Sequence, residues 1–166
     1  RISLMKTAFY TIAYPMTMGY VLAGESKKSE MKRIEEFALP LGIAFQIRDD
    51  MLGVFGVEKN TGKAVDTDIH EGKFTLLIQN TLQRLAEKDQ DEFLNMLLSE
   101  NKSDSSVSYI KKTILDCGAV DDTLNRHFEL LEEAEEKLDK LRLNEKSRNV
   151  LRGVIEVISH VPAEFK

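Results

Sequence analysis

Apolar and polar positions along this chain recur mostly with a helical period. Residues 7–24, TAFYTIAYPMTMGYVLAG, contain no charge. Eighteen residues is the lower edge of what crosses a bilayer, but Pro15, Gly19, three threonines and three tyrosines dilute the run. It therefore reads as a helix buried in a large helical core. Gly24 predicts a stop, and the polar run after it a new start around Ser26 or Ser29. From Glu30 to Leu52 the residues Ile34, Phe37, Ala38, Leu41, Phe45 and Leu52 recur at helical spacings. Pro40 interrupts them and predicts a kink or break near Ala38, with the later helix running through Asp50. Gly53 to Thr75 holds four of the nine glycines and reads as a long loop, of a length that is often functional. Further helices are predicted over 76–86, 92–98, 105–116, 121–142 and 145–160, the third ending at Cys117-Gly118. In the fourth, Leu124, Phe128, Leu131, Leu138 and Leu141 form the apolar stripe. Strand alternation is nearly absent, so the fold class is all-α, one helical domain over residues 1–166.

Length and charge narrow the field further. A chain of 166 residues buries roughly two-thirds of its unfolded surface, enough for one ordinary domain. Residues 1–83 carry 10 basic and 10 acidic side chains and the remainder 13 and 18, so the net charge of −5 lies in the second half. Neither half has the basic footprint that nucleic acid requires. One cysteine, Cys117, allows no internal disulfide and no thiolate zinc cluster. With no signal-peptide pattern, the cytoplasm is the simplest address. The chain opens on Arg1 inside an apolar stretch and reads as a fragment.

The chemistry concentrates in residues 45–75, FQIRDDMLGVFGVEKNTGKAVDTDIHEGKFT. At about 100° per residue, Gln46, Asp49 and Asp50 fall within a ~100° arc of one helix face. Adjacent carboxylates inside an apolar pattern repel each other unless a cation joins them, and magnesium suits carboxylate oxygen shared with phosphates. Lys63 and Lys73 each follow a glycine, which lets the ammonium and the backbone approach an anion. Asp66, Asp68 and Glu71 are interleaved with them. No Walker A sequence occurs. An Asp pair alone is more often a solvated helix end, but FQ, DD, GK and EGK in one short segment favour a site for a metal-chelated diphosphate.

In these motifs the sequence resembles the trans-isoprenyl diphosphate synthases, or polyprenyl synthetases. The matching pieces are Lys6-Thr7, FQIRDD at 45–50, TGK at 61–63 and DIHEGKFTLL at 68–77, with GAV at 118–120 a weaker match. The resemblance extends over the whole chain and over the C-terminal half of the family's usual length. It implies the C-terminal half of an isoprenoid-synthase-type helical bundle, Mg2+ as cofactor, and a homodimer. The implied substrates are an allylic diphosphate and isopentenyl diphosphate, condensed to a longer isoprenyl diphosphate, for which geranylgeranyl diphosphate is the expectation. It further implies that Asp49 ligates magnesium with Asp50 assisting, and that Asp68 reaches the metal through water. Lys6 and Gln46 would lie near the allylic diphosphate and reacting end, Thr7 would face the carbocation, and Lys63 and Lys73 would bind diphosphate.

Two departures qualify these expectations. Gly53 stands where the family's second motif, DDxxD, carries its third carboxylate, which implies one metal ligand fewer. No first DDxxD motif occurs, and the other Asp pair, Asp121-Asp122, continues as Thr-Leu-Asn. The expectation is an active parent enzyme and an inactive isolated chain. Two competing readings are a non-catalytic helical partner subunit, with the Leu124 to Leu141 stripe as its seam, and a class I terpene cyclase, which the GK and EGK lysines disfavour. His70 reads as a solvent-exposed loop residue, His127 and His160 as helix-surface or end residues, and Cys117 as a small core residue.

Overall fold

The computed structural model describes residues 4–56 and 66–161, with side chains from Thr7 onward. Among the described residues there is no strand, as the sequence pattern predicts. Among the described residues a π-helical segment, Leu4–Ala13, leads into eight α-helices: α1 Tyr14–Leu22, α2 Lys28–Phe55, α3 Thr67–His70, α4 Leu76–Arg84, α5 Glu87–Leu98, α6 Asp104–Asp116, α7 Ala119–Leu138 and α8 Glu145–Ser159. Among the described residues no helix is long and apolar enough to cross a membrane. The chain divides into two compact units, 1–46 with 126–161 and 47–125 with 162–166.

The first unit is built on the N-terminal part of α2. Ile34, Phe37, Ala38, Leu41 and Ala44 are buried at helical spacing. Pro40 sits inside the helix, and α2 runs unbroken through it. A break does not occur because proline removes one helix bond at about 3 kcal/mol, whereas burying Ile34, Phe37 and Leu41 contributes about 1.5–3 kcal/mol each. The buried stripe of the last turns of α7 is His127, Leu130, Leu131, Ala134 and Leu138, continued by Leu141. This corrects two expectations. Phe128 lies on the outer side of the stripe and is 42% exposed, and His127 is buried, its Nδ1 3.0 Å from the Ala44 carbonyl oxygen. A half-apolar imidazole can occupy a core position when a backbone partner meets its ring nitrogen. α7 is closed by Arg148, which donates to the carbonyls of Leu138 and Leu141 at 2.7 and 2.9 Å.

The start of the chain departs furthest from its expected form. The uncharged run is split at Tyr14, which places Pro15 in the first turn of α1, where a missing N–H breaks no helical bond. α1 has no buried residue, and Tyr10, Tyr14, Met18 and Leu22, spaced by four, form an exposed apolar stripe. Hydrophobicity alone does not bury a helix; it needs a partner surface, and the described residues supply one here only at Thr7, Ala8 and Ala13.

In the second unit, α6 packs against α3, α4 and α5. Val107, Ile110 and Ile114 form its buried stripe, with Leu77 and Ile78 of α4 and Phe93 and Leu97 of α5 also in the core. Thr75 and Ser103 cap α4 and α6 through backbone N–H groups three residues on. α6 ends as predicted before Gly118, at φ 80°. The expected loop from Gly53 is shorter than the sequence suggests, since α2 continues to Phe55 and Thr67–His70 is helical.

Truncating the fully buried Phe93 to Ala is expected to destabilise the chain by about 3–5 kcal/mol, whereas Leu22→Ala, at 83% exposed, should change stability by no more than about 0.5 kcal/mol. Urea denaturation monitored by circular dichroism checks both.

Candidate functional site

In the first unit the π-helical segment meets α2 at Ala8 and Gly42. A Cβ on Gly42 would overlap the Ala8 backbone, including its nitrogen at 3.1 Å, so only glycine permits this approach. One turn further along α2, Gln46 accepts a hydrogen bond through Oε1 from the buried Thr7 hydroxyl. Gln46, expected near the reacting end, and Thr7, expected to face the carbocation, are thus joined directly. Lys6 belongs to the π-helical segment, and its side chain lies outside the described residues, as does the whole of Lys63.

In the second unit, Asp49 and Asp50 are half-buried on α2. One turn on, Gly53 has no side chain, and the Asp68 carboxylate from α3 fills that space. A Cβ at Gly53 would overlap Cγ and Oδ2 of Asp68 and stand 2.9 Å from Oδ1. Asp68 is only 7% exposed, so its charge needs a partner. Lys73 supplies it: its Nζ donates to Asp68 Oδ1 at 2.5 Å and reaches Glu71 Oε2 at 3.0 Å. The backbone repeats the link, with Lys73 N–H donating to the Asp68 carbonyl at 3.0 Å. Between them Gly72 turns at φ 63°, and a Cβ there would stand 2.9 Å from the Leu97 carbonyl oxygen. The hydrogen bond to Asp68, and then that to Glu71, holds the Lys73 ammonium well above the usual lysine range.

Three contacts here escape the reading of motifs. Lys111 pairs with Asp66 at 2.6 Å and lies 6.0 Å from the centre of the Phe55 ring. Asp66 itself adopts a left-handed conformation at φ 60°, which Asp tolerates better than most residues. The sequence signal was present: Lys111 flanks the buried stripe of Val107, Ile110 and Ile114, where a lysine is held close to the core. Third, Arg84 binds Asp122 bidentately at 2.6 and 2.7 Å, which keeps the Asp122 carboxyl below its ordinary range.

The residues present supply part of a metal site only. No group of three or more His, Cys, Asp or Glu side chains that could hold a metal occurs among the described residues. Asp49 and Asp50 are of the right chemistry for a hard cation, but the Asp68 carboxylate is engaged by Lys73.

A family model described as polyprenyl synthetase matches residues 1–114. A short chain isoprenyl diphosphate synthase of Methanothermobacter thermautotrophicus is 38% identical over 86 residues, 52% of this chain and 26% of that protein. A geranylfarnesyl diphosphate synthase of Aeropyrum pernix is 32% identical over 142 residues, 85% of this chain and 43% of that protein. Among solved structures, a geranylgeranyl pyrophosphate synthase from Corynebacterium glutamicum, complexed with isoprenyl diphosphate and magnesium, superposes with a TM-score of 0.85. It is 33% identical, with 97% of this chain and 45% of that chain covered. The chain spans less than half the length of each of these three relatives.

Replacing Thr7 by Val is expected to lower stability by about 1 kcal/mol, because the buried hydrogen bond to Gln46 is lost. For Lys73, a raised folded-state pKa means that its contribution is complete below the ordinary value of 10.5 and is lost as pH rises through the higher folded value. The gap in urea midpoint between the unaltered chain and Lys73→Met should therefore hold steady from neutrality to about pH 10.5, the ordinary lysine value, and narrow above it.

Proposed function

The chain belongs to the polyprenyl synthetase family, and on that premise we propose that it forms the diphosphate-holding part of a magnesium-dependent trans-prenyltransferase. The reaction joins an allylic diphosphate to isopentenyl diphosphate, with geranylgeranyl diphosphate as the product. The observation that carries this reading is the Lys73 ammonium, fixed by Asp68 and Glu71 on the segment DIHEGK, within the matched residues and beside the acid-bearing stretch of α2.

The allylic C–O bond breaks and its electron pair leaves with pyrophosphate. The double bond of isopentenyl diphosphate attacks the resulting allylic cation, and a proton is lost to the departing pyrophosphate. No side chain of this chain is needed as a general base. Negative charge grows on the leaving group as the bond breaks, so ammonium groups fixed at its oxygens stabilise the transition state more than the ground state. Lys73 and Lys63 are assigned that task, with Lys6 and Gln46 toward the reacting end. Magnesium, when bound, would add positive charge at the same oxygens; Asp49 would ligate it with Asp50 assisting, and Asp68 would reach it through water. Thr7 is assigned to the face of the carbocation. Its hydroxyl hydrogen points to Gln46, so lone pairs are what Oγ1 offers elsewhere, which suits a cation.

The parent protein is proposed to be cytoplasmic and homodimeric. The prenyltransferase reading is preferred to the partner-subunit one because Leu131, Leu138 and Leu141 of the latter's stripe are buried in the chain's own first unit, although Leu124 and Phe128 are not.

In the full-length parent, Asp49→Ala is expected to lower turnover on the order of 10²–10³-fold, a range typical for removing one group that stabilises developing charge. The isolated chain, given both diphosphates and magnesium, should release no pyrophosphate in a coupled phosphate assay. Turnover by the isolated chain, or full activity of the parent after Asp49→Ala, contradicts the reading.

A further inference from the structure

Helix α3 is a single turn, Thr67–His70, and it carries Asp68, with Lys73 just beyond it. A single turn does not hold itself together, because nucleating a helix fixes several residues for each bond gained. Its N–H groups at His70 and Glu71 donate to the Asp66 and Thr67 carbonyls at 3.0 and 2.9 Å. The residue that opens it is unfavourable as well. Asp66 stands at the N-cap, where an aspartate is ordinarily extended and bonds the first N–H groups through its carboxylate. In this chain it is left-handed at φ 60°, and its side chain makes no cap hydrogen bond.

The carboxylate is turned to α6 instead, where Lys111 Nζ donates to Asp66 Oδ1 at 2.6 Å, both side chains being mostly buried. The same ammonium lies 6.0 Å from the centre of the buried Phe55 ring, the last residue of α2. At the other end of α3, Lys102 donates to the His70 carbonyl at 3.1 Å and to the Ser99 carbonyl at 2.8 Å. Positive charge is favourable at the last carbonyls of a helix. The turn is therefore gripped at both ends by lysines that lie outside the motifs of residues 45–77.

From this we infer that Lys111, with Lys102 in support, is a positioning residue. It takes up the strained Asp66 and so fixes the turn in which Asp68 meets Lys73, and its contact with Phe55 ties that turn to the end of α2. The functional part, that the ammonium fixed in this way serves a metal-bound diphosphate, rests on the prenyltransferase reading.

The test uses the full 166-residue chain and reads backbone hydrogen exchange at His70 and Glu71. Lys111→Met keeps the side chain's bulk without its charge. It is expected to speed exchange at both amides at least about tenfold, with Phe93 in the core of α5 unchanged. Adding Asp66→Gly to Lys111→Met removes the strained residue, since glycine adopts this conformation freely, and should bring both rates back to within about threefold of the unaltered chain. Unchanged exchange in Lys111→Met, or rates no slower in the double variant, overturns the grip. If Lys111→Met fails to fold and the double variant folds, the rescue itself shows that Lys111 bears the strain at Asp66.

A second arm separates positioning from local stability, with magnesium and inorganic pyrophosphate as the calorimetric probe. Lys111→Met should bind at least about tenfold more weakly than the unaltered chain, because Lys73 is no longer held in place. Lys111→Arg keeps a cation for Asp66 and Phe55 and should bind within about threefold. Faster exchange at His70 and Glu71 with equal, measurable binding by all three chains overturns the positioning role. If exchange responds as expected and the unaltered chain does not bind, the grip on α3 is upheld and the diphosphate reading is overturned instead.

Discussion

The ion pair between Asp68 and Lys73 is the constraint on which the second unit's candidate chemistry depends. A carboxylate removed from water is tolerated only when a positive partner and well-aimed hydrogen bonds replace its hydration. Here the partner comes from five residues along the chain, delivered by the turn at Gly72 and closed by the backbone bond from Lys73 to Asp68. Glu71 adds a second acceptor on the solvent side of the ammonium. The lysine is thereby held as a cation at one point, and an anion meeting it finds a fixed charge in place of a mobile surface side chain.

Close approach to the backbone recurs at two points on α2, its middle and its last turn. At Gly42 it brings Thr7 onto Gln46; at Gly53 it admits the Asp68 carboxylate. At Gly53 the missing side chain is matched by the Asp68 carboxylate, and at Gly42 by Ala8, the neighbour of Thr7; a methyl at either glycine would displace what stands there. α2 can act this way over 28 residues only because its apolar stripe carries it through Pro40.

Much of the fold was legible in the sequence. The helical spacing of Ile34, Phe37, Ala38 and Leu41, the cap at Gly118 and the helices after Thr75 follow from period and punctuation, which are local properties. What was misread depends on partners distant in sequence. The uncharged run at 7–24 looks like core, but burial is decided by what lies opposite it, and α1 has little there. Phe128 outranks His127 in hydrophobicity, yet the carbonyl of Ala44 makes the histidine the buried member of the pair. In the site, the Lys73 and Asp68 motif was readable from residue type and spacing. The meaning of Gly53 was not, because its neighbour Asp68 is fifteen positions away and only the folded chain places it there.

Side-chain nitrogen NMR of the lysine ammonium groups tests the central claim most directly. An ammonium locked to a buried carboxylate exchanges its protons slowly enough to be seen near neutral pH, whereas free surface lysines do not. The Lys73 signal is expected to be visible, to survive Glu71→Gln and to vanish in Asp68→Asn. A Lys73 signal that persists in Asp68→Asn and disappears in Glu71→Gln would contradict the account.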